Sequence, residues 1–151
     1  MNSNSLYHTD FAAWAFQQAA LLKGRKFDQV DLDELIEEIE SMGKSEYREL
    51  RSRLIVLIQH LLKWQAQPER QSKSWHLTIK VQRRDIKRHL AENPSLKSCL
   101  NDNQWLDEVW ENGMLNAANE TLIDLDAFPQ HAIWTVEQIL DDDFYPTLKD
   151  E

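Results

Sequence analysis

Seven side chains between His60 and Arg83 have types that could act together: His60, Trp64, Gln67, Arg70, Trp75, Gln82 and Arg83. Two guanidinium groups favour an anionic group. Two indoles offer apolar walls, and the imidazole and amides could orient a ligand between them. Such a set would suit a small anionic metabolite or a nucleotide. Its assembly depends on Pro68, in "HLLKWQAQPERQSKSW", because proline ends the helix before it. At about 100° per residue, His60, Trp64 and Gln67 share one edge of an inward face. Gln82 and Arg83 fall beside Trp75, Ile79 and Ile86 on the next helix. A short connection makes the two helices antiparallel, and these groups then converge. The same arrangement also fits an internal polar network, since an unpaired buried amide or imidazole costs about 1–3 kcal/mol. In that reading Arg83 takes a carboxylate from Glu37, Glu38 or Glu40. The network is the expected role, with the pocket as its alternative.

Other chemistry is less well supported. "ELIEEIE" places Glu37 and Glu40 three residues apart, but no Glu-x-x-His repeat of a helical metal site occurs. A solvated acidic face is expected, with no metal and no cofactor. "KVQRRDIKRH" carries Lys80, Arg83, Arg84, Lys87 and Arg88, which could track phosphates. Residues 28–40 carry seven acids and no base, so opposing charged faces explain that run better than nucleic acid does. Cys99 sits on an apolar stripe and reads as core. No nucleophile elbow, phosphate loop, paired CxxC or HExxH occurs.

The elements that would position these residues are all helical. Asp10 caps a helix whose inner face is Phe11, Trp14, Ala15, Gln18 and Leu22, and Gly24 is expected as its left-handed stop. Asp31 and Glu34 form a capping-box pattern before a buried stripe of Leu32, Leu35, Ile36, Ile39 and Met42. Gly43 is expected to break or bend this helix. The spacing resumes at Tyr47, Leu50, Leu54, Leu57, Leu61 and Trp64, and "LIVLI" is apolar nearly all round, as in a helix covered by several neighbours. The next helix starts near Ser72 or Ser74. Asn93-Pro94 ends it and opens another that runs through Leu96, Leu106, Met114 and Ala117. In that helix Gly113 allows a close contact. Trp105 and Trp110 cannot both face the same way, so one of them faces outward. Thr135 and Gln138 cap a short last helix.

These patterns predict an all-α fold: a bundle of four to five main helices with a short C-terminal helix. The 151 residues suit a single domain, with 1–8 and 146–151 as flexible ends. Only three glycines and four prolines argue against an all-β fold. A net charge of −9 disfavours general nucleic-acid binding. One cysteine excludes an internal disulfide. No secretory signal or membrane span is read, so a soluble cytoplasmic protein is expected.

The stretches "DFAAWAFQQAALLKGRKFDQVDLDELIEEIESMGKSE", "SRLIVLIQHLLKWQAQPERQSKSWHLTIKVQRRDI", "NPSLK" and "TVEQIL" closely resemble a bacterial family, domain of unknown function twenty-nine, common in cyanobacteria. The resemblance implies a helical bundle with no established activity. The positions of Glu37, Glu38, Glu40, Gly43, His60, Pro68, Arg70, Trp75 and Gln82 belong to the family motif, and no catalytic role comes with them. After "ANET" the family usually has glycine, where this chain has Leu122.

The leading functional expectation is a non-enzymatic interaction or regulatory module with a protein partner. The alternative is a binding protein or enzyme for a small anionic ligand, using the seven-residue cluster. Nucleic-acid binding through the basic helix is third. The oligomeric state is left open.

Overall fold

The computed structural model of the chain describes residues 3–148. The helices are α1 (Ser3–Thr9), α2 (Phe11–Lys23), α3 (Leu32–Ala66), α4 (Lys73–Glu92), α5 (Asn103–Thr121) and α6 (Val136–Leu140), joined by short 3₁₀ segments. No strand forms among the described residues. The fold is all-α, as the periodicity predicts. Of the ends expected to be flexible, residues 1–2 and 149–151 lie outside the described residues, and Ser3–Thr9 is helical.

Local chemistry sets the boundaries. The Asp10 carboxylate accepts from Ala13 N and starts α2. Ser72 accepts from Trp75 N at the start of α4. The reciprocal Thr135–Gln138 capping box starts α6. Two expectations need correction and one is narrowed. Gly24 is not left-handed (φ −81°); the left-handed residue is Arg25, with φ 59°. Of the alternatives left open at Gly43, a break does not occur, and α3 runs as one long helix from Leu32 through Ala66. The helix expected from Pro94 onward is two elements. Pro94–Asn101 is 3₁₀, and Asp102 then caps α5 by accepting from Gln104 N and Trp105 N.

The chain gathers into two compact units, 1–45 and 46–151. In the second unit, α3 and α4 lie antiparallel. Lys63 reaches Trp75, Arg53 reaches Gln82 and Asp85, and His89 reaches Glu46 and Glu49. Leu50, Leu54, Leu57, Leu61, Ile79 and Ile86 fill the space between the helices and their neighbours. At Gly113 of α5 a Cβ would stand 2.7 Å from Ile58 Cγ2, so only glycine lets α5 approach α3 this closely. Trp110 is buried and Trp105 half-buried. The C-terminal segment completes the core with Phe128, Trp134 and Ile139.

The first unit is built differently. Tyr7, Phe11 and Trp14 form an aromatic cluster, with Tyr7 and Trp14 centroids 4.7 Å apart. Trp14 Nε1 donates to the Asp31 carboxylate at 2.8 Å, and Gln18 Oε1 accepts from Asp31 N at 2.8 Å. These bonds fasten α2 to the start of α3. Tyr7 donates its hydroxyl to Glu38. That bond, with desolvation and the nearby glutamates, pushes the phenol up to about 12.

Candidate functional site

The seven residues singled out from sequence do not close around one cavity. His60 is half-buried and donates from Nδ1 to the Val56 carbonyl of its own helix at 2.8 Å. Burial pushes its basicity down, partly offset by that bond. Trp64 packs against His76 and Tyr145, which stack on each other at 5.2 Å. It lines a cavity of about 330 Å³ with Gln65, Pro68, Gln71, Pro146, Thr147 and Leu148, none of them among the other six. Gln67 precedes the 3₁₀ turn Pro68–Arg70, and Arg70 is exposed. Trp75 lies under the Lys63 ammonium, 4.6 Å from the ring centroid. Gln82 accepts from Arg53.

Arg83 is fully buried, at 0% exposure. Its partners are not Glu37, Glu38 or Glu40, as sequence reasoning expected. Nε donates to the Ile139 carbonyl at 2.8 Å, Nη2 to that of Phe144 at 2.6 Å, and Nη1 to that of Asp142 at 3.5 Å. The Tyr145 ring faces its guanidinium at 5.3 Å. Burial lowers its basicity, while Tyr145 and the acids 141–143 oppose that. Arg83 therefore ties the end of α6 and the following segment to α4.

Sequence reasoning missed two further polar clusters. Lys63 is buried and pairs with Glu120, whose carboxyl it holds below the usual range. The basic residue inside an apolar run was the available signal. In the second cluster, groups of Glu46, Glu49 and His89 lie within 4.8 Å of one another, a spacing that suits a cation. His89 Nε2, however, contacts the Glu46 carbonyl at 2.9 Å, and Nδ1 contacts Glu49 at 2.8 Å. Both ring nitrogens are therefore already engaged by protein oxygens.

In the first unit, sequence predicted that Leu32, Leu35, Ile36, Ile39 and Met42 form a buried stripe. Leu35 is half-buried, but Leu32 is 61% exposed, Ile36 45%, Ile39 60% and Met42 63%. The half-buried positions of this turn are Glu34, Leu35 and Glu38. The face toward α2 is therefore rotated from the apolar stripe. Phe11, Phe16, Leu22 and Phe27 are exposed as well, Phe16 by 77%. In residues 6–45 the only large apolar side chain in the buried core is Trp14. Glu40, Asp33 and Glu37, all exposed, follow the stripe around one side of the helix.

A family model, Domain of unknown function DUF29, matches residues 6–145. The chain belongs to this family. No curated protein and no solved structure matches it. The match begins ahead of α2 and so includes the exposed stripe of this DUF29 chain as well as the Arg83 network. No helix among the described residues is long and apolar enough to cross a membrane.

Proposed function

We propose that this DUF29 protein is a non-enzymatic protein-interaction module, and that the exposed apolar row from Leu32 to Met42 on α3 is its docking surface. The supporting observation is the uncovered Leu32–Ile36–Ile39–Met42 stripe over a unit with almost no apolar interior. Contiguous apolar surface of this kind marks an interaction site in a folded protein. Covering a half-exposed Leu, Ile, Phe or Met recovers about 1–1.5 kcal/mol. The four side chains of the row offer about 4–6 kcal/mol, and covering a like number on the partner about as much again, on the order of 10 kcal/mol in all. Set against about 4 kcal/mol at the low end of the association cost, that leaves about 6 kcal/mol, or binding in the tens of micromolar. The acidic rim of Asp33, Glu37 and Glu40 selects a partner with a basic, apolar helical face.

Fluorescence anisotropy of a labelled amphipathic Lys/Leu helix, titrated with the full chain, tests this reading. Ile36→Asp with Ile39→Asp removes the stripe at exposed positions and should weaken binding at least tenfold with the fold intact by circular dichroism. No binding, or binding indifferent to the substitutions, would overturn the proposal.

A further inference from the structure

The chain itself carries a surface with the partner chemistry just described. On α4, Leu77 is 47% and Val81 36% exposed, and they stand one helical turn apart. Lys80, Arg84 and Lys87 surround them and line an open groove of about 510 Å³. Two acids already engage these bases: Asp142 pairs with Lys87 at 3.0 Å and Asp85 with Arg84 at 3.0 Å. Leu77 and Val81 repeat the four-residue spacing of Leu32 and Ile36. Rows of that spacing interlock when two helices pack. Seven position further along, the acidic helix has Ile39 and the basic helix has Arg84, a residue whose stem can lie on apolar surface while its head meets a carboxylate. Pairing two acidic stripes with each other would set the seven acids of residues 28–40 against seven more.

Resting on the reading above, we infer that the partner of the acidic stripe is a second copy of this chain, and that residues 32–42 of one copy dock on the Leu77–Val81 groove of another. Reciprocal docking closes a two-fold dimer, and one-way docking builds an open chain. Either raises the mass in solution above 17.9 kDa. The charged rims make the association weaken with added salt.

Sedimentation of the full chain over a wide concentration range, with two charge-reversed variants, tests the inference. Glu37→Lys/Glu40→Lys and Lys80→Glu/Arg84→Glu alter exposed positions on opposite sides of the proposed contact. Each variant alone should dissociate at least tenfold more readily than the parent, and an equimolar mixture should recover association. A parent that stays at 17.9 kDa while the Lys/Leu helix binds overturns the second copy as partner and leaves the docking face standing. If that helix also fails to bind, both readings fall. Association indifferent to Lys80→Glu/Arg84→Glu overturns the α4 groove as the receiving surface.

Discussion

Arg83→Ala tests whether the buried guanidinium holds the fold together. Two of its bonds, to Ile139 O and Phe144 O, have good length, and the third, at 3.5 Å to Asp142 O, is marginal. A hydrogen bond from a charged donor contributes about 1.5–3 kcal/mol. Truncation leaves carbonyls without their donor and opens a cavity, but it also relieves the cost of burying a charge. Weighing these, we expect a loss of about 3–5 kcal/mol. For a domain of this size that is a fall in Tm on the order of 10–15 °C. Arg83→Lys should recover little, because one ammonium cannot reach carbonyls fixed in a fork around a planar group. Urea unfolding monitored by far-ultraviolet circular dichroism measures the loss. Limited proteolysis reports the second effect: residues 139–145 should become cleavable in the variant while α3 and α4 stay protected. A loss below about 1 kcal/mol, or unchanged protection of 139–145, would refute the assignment of Arg83 as the tie.

Leu122 closes α5 in the left-handed region (φ 61°) and is 90% exposed. Leu122→Gly removes a strain of about 1–2 kcal/mol and adds unfolded-state entropy, so a net gain of about 0.5–1 kcal/mol is expected in thermal unfolding; a loss of stability would contradict it. His60 predicts a pH dependence. Burial depresses its folded-state value below the ordinary 6.5, so on acidification the unfolded chain takes up a proton that the folded chain refuses. Stability is therefore fully present above about 6.5 and declines as pH falls from there toward the folded value. His60→Gln should flatten this decline in urea midpoints taken between pH 5 and 8, and an unchanged slope would count against it.

How much the sequence disclosed depends on whether the deciding partner lies nearby in the chain. Helix starts at Asp10, Ser72 and Thr135 were legible because each cap bonds to a backbone amide three residues away. The reversal at Pro68 was legible for the same local reason, and with it the antiparallel contact of α3 and α4. The partners of Arg83 were not. They lie 56–61 residues away, and backbone carbonyls leave no side-chain signature, so the wheel could turn Arg83 inward without showing what receives it. Gly24 misled because composition marks a helix stop to within a residue, while the turn itself put the positive φ on Arg25. The stripe from Leu32 to Met42 failed for a more general reason. Periodicity reports that one face of a helix is apolar, not that anything covers it. In the segment from Leu50 to Leu62, the neighbours that cover the helix come from α4, α5 and the C-terminal segment. In residues 32–42 the half-buried side is instead set by Trp14, Gln18 and Tyr7 bonding to Asp31 and Glu38, which turns the apolar row outward. The same pattern therefore marks a core in one half of α3 and an exposed apolar row in the other, and local polar bonds decide between them.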